Sequence, residues 1–499
     1  MSSRAFLAAA ATLALIVPAA ASAASTTTAT TAASYANYPG PPGLVGDAGE
    51  PSIGYNPKTG ATLFQSYTTT AKVTGFDGAG HATWTDVSDP FALTSLDPIL
   101  WTDRATGRSI NSQLLLACSK AGYSDDDGAT WSLSQGCGVG TGVDHQTIGG
   151  GPYSKGGLPI PATYPDAVYY CTQDGAVAAH CATSYDGGVT FGPGQTTYTV
   201  DKCPLLLHGH IKVGPDGTAY LPTADCDGHQ TLAESRDNGL TWTLDEVPDS
   251  TTQEESDPHL GIGSQGTLYL GWQGADGQDL GAKGYAGDAY SEGHAWISVK
   301  PAGSTTWRPK VDVGAALGIK NIQFPEVYAG DDGRAAFAFL GTTTAGDDQA
   351  PDFKGTWDLY VATSYDQGRT WTTVDATPTD PVQRGCIWLQ GGSSSCRNLL
   401  DFNDITVDNA GRVMVAYADG CTDACVTADP ATYDYGQTRT DLGVIARQES
   451  GLGLFAAADP VLAAAPQVKP RAASAHVGAP EATRKGDEGD ERDRAAERG

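Results

Sequence analysis

The stretch Ser235-Arg-Asp237-Asn-Gly239-Leu-Thr241-Trp242 decides the fold, because its pattern, Ser-x-Asp-x-Gly-x-Thr-aromatic, occurs four times in the chain. The other copies occupy residues 124–131, 184–191 and 364–371. The pattern is typical of a hairpin turn. The aspartate can accept backbone N–H groups, the glycine can adopt a positive φ, and the aromatic ring can fill the space between neighbouring sheets. Four copies therefore predict a repeat of antiparallel sheets.

A second repeat precedes these turns and allows the sheets to be counted. Each copy reads as an alternating strand, a glycine turn and a more apolar strand, and the copies start near residues 52, 98, 145, 210, 259, 326 and 404. Degenerate turn motifs at 77–84 and 298–307 occupy two of the remaining positions. We therefore predict an all-β chain forming one β-propeller of four-stranded blades, seven by this count, with six as the alternative.

The turn motif resembles the Asp-box, or BNR, repeat of the sialidase-like β-propellers, and the resemblance covers about residues 47–455. It implies that the boxes lie on the face away from the active site. It also implies a glycoside hydrolase of exo-sialidase type that acts on extracellular glycans. The arginine triad with which that family holds the substrate carboxylate is not seen, since no predicted innermost strand contains an arginine. A metal-assisted polysaccharide lyase and a non-catalytic glycan- or protein-binding propeller remain alternatives.

The two ends of the chain differ from its body. Arg4, an apolar run over 5–17 and Ala21-Ser-Ala23 predict a signal peptide over 1–23. We expect a Ser/Thr/Ala-rich spacer over 24–46, the propeller over 47–455 and a disordered low-complexity tail over 456–499. No later apolar run is long enough to span a bilayer. These features predict a secreted protein without a membrane span.

Charge limits the possible partners. The chain has 58 acidic and 30 basic residues, which gives a formal net charge of −28. A protein that binds a phosphate backbone needs the opposite sign, so nucleic acid is excluded as a partner. We expect a monomer whose partner is an extracellular glycan or polysaccharide.

The ten cysteines support export, because they form five close pairs along the sequence and an oxidising compartment favours disulfides. The predicted disulfides are Cys118–Cys137, Cys171–Cys181, Cys203–Cys226, Cys386–Cys396 and Cys421–Cys425.

The repeats also predict where function resides. The start of each innermost strand should face the central channel, and histidines and carboxylates are concentrated there. From this placement we expect catalytic groups at His145, His210, His259, Glu326 and Asp404. We expect substrate-binding groups at Glu50, Ser52, Asp97, His208, Asp257 and Asn403. A divalent metal at His145, His210 and His259 is one alternative, and a water-filled channel lined by ordinary polar residues is another.

Overall fold

The computed structural model describes residues 32–92, 94–95, 97–114, 119–135, 144–157, 162–174, 177–250, 257–275, 293–389, 394–428 and 440–460. The predicted signal peptide, the tail beyond residue 460 and the pair Cys118–Cys137 lie outside them. The described residues form seven four-stranded antiparallel sheets. The innermost strand of each sheet contacts the next, and that of the seventh sheet contacts that of the first. The chain is therefore a seven-bladed β-propeller, which confirms the all-β prediction and the preferred blade count.

The first half of the chain contains the last-blade strand β1 (Ser34–Pro39), the short helix α1 (Pro42–Val45) and the first three complete blades. The strands of those blades are β2 (Ser52–Tyr55), β3 (Thr62–Ser66), β4 (Thr69–Thr74), β5 (Thr83–Asp86), β6 (Pro98–Thr102), β7 (Ser109–Gln113), β8 (Lys120–Ser124), β9 (Ser132–Leu133), β10 (Asp144–Pro152), β11 (Asp166–Gln173), β12 (Ala178–Ser184) and β13 (Gln195–Thr199).

The second half contains the other blades, the short helix α2 (Ala424–Thr427) and single 3₁₀ turns at Ala315–Leu317 and Ala456–Ala458. Its strands are β14 (Lys212–Val213), β15 (Ala219–Cys226), β16 (His229–Ser235), β17 (Thr243–Glu246), β18 (His259–Ile262), β19 (Leu268–Ala275), β20 (Gly293–Lys300), β21 (Val311–Asp312), β22 (Asn321–Ala329), β23 (Ala335–Thr342), β24 (Thr356–Ser364), β25 (Thr372–Asp375), β26 (Gln383–Arg384), β27 (Asp404–Val407), β28 (Val413–Asp419) and β29 (Leu442–Ser450).

The N-terminal strand closes the ring. β1 pairs antiparallel with β29, so the last blade has the order β1-β29-β28-β27. Tyr35 and Tyr38 of this strand are buried in the core of the last blade. The chain thus already pairs with the last blade from Ser34, within the predicted spacer over 24–46 and ahead of the predicted start of the propeller at residue 47.

The four Ser-x-Asp-x-Gly-x-Thr-aromatic motifs, which we call boxes, form the predicted turns, each between the third and fourth strands of a blade. In the third box, Asp237 Oδ1 accepts the backbone N–H of Thr241 at 2.9 Å, and its Oδ2 accepts the hydroxyl of that residue at 2.6 Å. Gly239 has a φ of 82°, and a Cβ there would lie 2.4 Å from Thr183 Oγ1 in the preceding blade. Only glycine fits both the conformation and the close approach. The box is therefore a structural turn.

We expect Asp237→Ala to lower the free energy of unfolding by about 1–2 kcal/mol, because it removes an aspartate that satisfies turn donors. Ligand binding and turnover should not change. Chemical denaturation with Glu246→Ala as the matched control tests this, since Glu246 is exposed on the next strand and should cost less than about 0.5 kcal/mol. A loss of activity in Asp237→Ala at unchanged stability would contradict the structural role.

Strand direction assigns the two faces of the ring. Because neighbouring strands are antiparallel, the first and third strands of a blade both run toward the boxes. The starts of the innermost strands therefore lie at the opposite face, which we call the axial face. The hairpins between second and third strands and the connections between blades lie at this face too.

Of the predicted disulfides, Cys171–Cys181, Cys203–Cys226, Cys386–Cys396 and Cys421–Cys425 are present. Across the described ranges, no helix has the length and apolar character that crossing a membrane requires.

Candidate functional site at the propeller axis

The backbone is strained where the innermost strands begin. Five residues there that are not glycine have φ between 53° and 58°, a region that L-residues rarely adopt: Glu50, His145, Leu206, Phe324 and Leu400. The innermost strands of blades 3 and 6 also shift register there, between Asp144 and Thr147 and between Gln323 and Glu326. Each positive φ costs on the order of 1–3 kcal/mol, and such strain clusters at functional sites.

The strained strand starts surround a small buried recess on the axis. Its cavity volume is about 10 Å³, and six blades contribute to its wall. A cavity needs roughly 10–15 Å³ to hold one water molecule, so this recess has room for one water-sized group rather than for a sugar ring. The lining residues are Glu50, Asp97, His145, Gln146, His208, His210, Asp257 and Phe402.

His145 is the cation of the recess. Its Nε2 lies 2.7 Å from Asp257 Oδ2, and its backbone N–H donates to Asp97 Oδ2 at 2.9 Å. Burial disfavours the charged ring, but the carboxylates of Asp257, Asp97 and Asp144 outweigh it and raise the pKa of His145 to about 10. His145 is therefore an imidazolium at neutral pH, held by Asp257.

The raised pKa makes a testable contribution to stability. The pKa of His145 is about 10 in the folded chain and about 6.5 in the unfolded one, so the stabilisation is complete below pH 6.5 and is lost as pH rises toward 10. The stability difference between wild type and His145→Gln should shrink by about 1 kcal/mol per pH unit across that window. Urea denaturation at pH 6, 8 and 9.5 measures it. A constant difference would contradict the imidazolium assignment.

His208 has a bare ring nitrogen in the recess. Its Nδ1 donates to the carbonyl of Gly209 at 3.2 Å, so the neutral ring has its lone pair on Nε2. That Nε2 is buried without a hydrogen-bond partner in the described part of the chain. Burial, and then the neighbouring charge of His145, lower the pKa of His208 to about 3. His208 is therefore a neutral acceptor at any ordinary pH.

A second buried cluster adjoins the recess through His210. Its Nδ1 lies 3.3 Å from His259 Nε2 and 3.8 Å from Asp404 Oδ1. Glu326 Oε2 lies 2.7 Å from His259 Nε2 but makes no hydrogen bond to any described residue. Burial lowers the pKa of both His210 and His259. Burial also raises the pKa of Glu326, and it raises the pKa of Asp404 to about 6. At neutral pH the two rings are therefore neutral, and burial favours the protonated form of the Glu326 carboxyl.

The donor chemistry of this cluster does not fit a divalent metal. Ligand atoms of His210, His259 and Glu326 lie within 4.8 Å of one another, as a metal site requires. However, His259 Nδ1 accepts the backbone N–H of Val327 at 2.9 Å, so the neutral ring has its proton on Nε2, the atom that would ligate. His145 is protonated as well. The predicted metal at His145, His210 and His259 is thus disfavoured, because a protonated nitrogen cannot ligate.

Two residues outside the repeat pattern, Arg397 and Asp401, adjoin the recess through Glu50. Arg397 donates to both carboxylate oxygens of Asp401, at 2.7 and 2.9 Å. Asp401 shares a hydrogen bond with Glu50. Burial raises the pKa of Glu50, whereas Arg397 outweighs burial and lowers the pKa of Asp401. The shared proton therefore resides on Glu50, and the Arg397 charge is committed to Asp401.

The structure brings most of the predicted site residues together, but not all of them. Five of the eleven predicted site residues do not line the recess. Three of these five, His259, Glu326 and Asp404, form the second cluster, which contacts the recess through His210. Ser52 and Asn403 are buried outside the wall, each with a polar side-chain atom lacking a hydrogen-bond partner among the described residues. Sequence reasoning missed Arg397, Asp401, Gln146 and Phe402 as site residues. The segment 397–401 immediately precedes the seventh repeat, and this position is the one sequence signal that points to the segment.

Comparison with known proteins assigns no family. No protein family matches the chain, and no curated protein matches it. Among solved structures, the chain is similar to a Penicillium chrysogenum alpha-L-arabinanase (10% identity, 83% of this chain and 98% of that chain, TM-score 0.40). It is similar to a Hadza microbial sialidase (14% identity, 70% of this chain and 65% of that chain, TM-score 0.38). It is also similar to a polysaccharide lyase of family PL25, an ulvan lyase (10% identity, 85% of this chain and 96% of that chain, TM-score 0.43). Likenesses this distant assign no function.

Proposed function

We propose that the protein is a secreted glycan-active β-propeller that hydrolyses a glycosidic bond at the axial recess. One observation carries the proposal: Asp97 lines a buried recess and has a raised pKa, and Asp401, which shares a hydrogen bond with the lining residue Glu50, has a lowered one. Burial, and then the charge of Asp144, raise the pKa of Asp97 to about 7, while Arg397 lowers the pKa of Asp401. Pairs of carboxyls whose environments push their pKa values apart are typical of acid–base catalysis.

The proposed roles follow from these protonation states. Asp97 holds a proton near neutral pH and is the proposed general acid for the leaving oxygen. Asp257, which lines the recess and is ion-paired with His145, would stabilise the positive charge that develops on the sugar during cleavage. His145 is a positioning residue, because its contacts with Asp97 and Asp257 hold these two carboxyls in place.

The charge of the recess argues against two substrate classes from the sequence analysis. A sialoside and a uronic-acid polysaccharide both present a carboxylate, which needs a cationic partner. The cations beside the recess, His145 and Arg397, are already committed to Asp257 and Asp401. Lys212 adds positive charge near Glu326 and Asp404, but it is not one of the lining residues. We therefore propose a substrate without a carboxylate, rather than an exo-sialidase or lyase substrate.

A glycan-binding propeller without catalysis is the second candidate, and the small volume of the recess favours it. Incubation with sialosides, uronic-acid polysaccharides and non-acidic glycans separates the possibilities. We expect new reducing ends from a non-acidic glycan. Released sialic acid, or the absorbance of an unsaturated uronide, would contradict the proposal. Binding without any product would leave the second candidate.

A further inference from the structure

Three buried atoms of the recess wall have unused hydrogen-bonding capacity. They are Glu50 Oε2, His208 Nε2 and Asp257 Oδ1, and none of them has a hydrogen-bond partner in the described structure. All three residues line the recess, and their relative exposures are only 2%, 1% and 7%. Unsatisfied polar atoms this deeply buried are rare in proteins, and each needs an explanation. A bound ligand that completes their hydrogen bonds supplies one.

Each of the three atoms is an acceptor. His208 has its ring proton on Nδ1, where it is donated to Gly209. Asp257 is ion-paired with His145 through its other oxygen, so Oδ1 keeps free lone pairs. Glu50 gives its proton to the hydrogen bond with Asp401, which leaves Oε2 as a carbonyl-type acceptor. A ligand that satisfies the wall must therefore donate up to three hydrogen bonds.

The three acceptors distinguish between possible ligand groups. A carboxylate only accepts hydrogen bonds and would leave all three atoms unpaired. A hydroxyl has one donor, and its own lone pairs would face further acceptors. A protonated primary amine has three donors and no acceptor, so it matches the acceptors of the wall in kind. Its charge is also complementary to the net charge of −28.

We infer that the axial recess binds the ammonium group of an amino sugar, as on a 2-amino-2-deoxy residue of a glycan. This inference rests on the proposed function, because it takes the same recess as the glycan site. One ammonium group is close in size to the water-sized space of the recess, with the rest of the glycan outside it. The substrate class is then a glycan with free amino groups, rather than an N-acetylated, neutral or acidic one.

Calorimetric titration with three β-1,4-linked oligosaccharides of equal length tests the inference. The units are glucosamine, N-acetylglucosamine and glucose, which differ at one position of the ring. We expect the glucosamine oligomer to bind at least tenfold more tightly than either of the others. Equal affinity for all three, or preference for the N-acetylated oligomer, would overturn the inference.

Matched variants separate the recess from general attraction between a polycation and an acidic protein. Asp257→Asn and Asp125→Asn remove the same charge, but Asp125 is exposed beside a box on the opposite face. We expect at least a tenfold loss of glucosamine-oligomer affinity in Asp257→Asn and less than a twofold change in Asp125→Asn. His208→Phe, which changes no charge at neutral pH, should lose affinity too. Equal effects in the two aspartate variants would assign binding to overall charge and overturn the inference.

These experiments test the ammonium site and the proposed hydrolysis independently of each other. Tight, recess-dependent binding of the glucosamine oligomer without cleavage would overturn the proposed hydrolysis and keep the ammonium site. Cleavage of a neutral glycan, with no preference for amino groups, would overturn the ammonium site and keep the hydrolysis. Thermal denaturation of each variant establishes that it is folded before either result is interpreted.

Discussion

Replacing Asp97 with asparagine is expected to lower kcat by about 10²- to 10³-fold on the glycan that the wild-type protein cleaves, because general acid catalysis commonly contributes about 10²- to 10⁴-fold. The pKa of Asp97 is about 7, so the wild-type side chain can donate a proton near neutral pH and asparagine cannot. Asparagine keeps an oxygen that can accept the His145 backbone N–H. Steady-state kinetics should show the loss in kcat with KM changed by less than about threefold.

The control for this variant is Asp125→Asn on the box face, which should keep wild-type kinetics. The wild-type profile of kcat should also fall as pH rises above about 7, where Asp97 loses its proton, because the conjugate base cannot act as an acid. Retention of more than a third of kcat in Asp97→Asn would show that another group donates the proton.

Removal of β1 is expected to unfold the propeller. Deleting residues 1–39 removes the strand that covers β29, together with the buried rings of Tyr35 and Tyr38. Each buried ring is worth about 3–5 kcal/mol, and the exposed edge of β29 would add a tendency to aggregate. Circular dichroism and thermal melting should show no cooperative transition at the wild-type temperature.

Two companion variants test this closure without the large deletion. Deleting residues 1–31 leaves every described contact of β1 in place and should preserve the melting temperature. Tyr38→Ala keeps the full chain but removes a fully buried ring whose hydroxyl donates to Glu449 at 2.7 Å. It should cost about 3–5 kcal/mol. Wild-type stability in the 1–39 deletion would show that the last blade does not need its fourth strand.

The sequence predicts the repeat well, because its signals are local. An Asp-box needs only an aspartate, a glycine with positive φ and a threonine within eight residues, so each box is visible without knowledge of its partners. The innermost strands carry the same kind of signal, a strand and a glycine turn. Once the repeats are aligned, propeller geometry gathers residues as distant as His145 and Asp257 at one axis, where they lie 2.7 Å apart.

Other features depend on long-range contacts that no local pattern encodes. The sequence 34–39 is short and lies in a Ser/Thr/Ala-rich region, and it becomes a strand because β29, about 400 residues later, offers an edge. Arg397 and Asp401 follow the Cys386–Cys396 disulfide and precede the seventh repeat, so no repeat position points to them. The protonation of His259 depends on the Val327 backbone, so the sequence could suggest a metal that the tautomer disfavours.

A crystal structure of the protein soaked with the tightest-binding oligosaccharide of the three tests the central claim most directly. We expect ligand density in the axial recess, with donor atoms within hydrogen-bond distance of Glu50 Oε2, His208 Nε2 and Asp257 Oδ1. The boxes on the opposite face should be unchanged. Density for the oligosaccharide elsewhere on the propeller, with only water in the recess, would contradict binding at the axial recess.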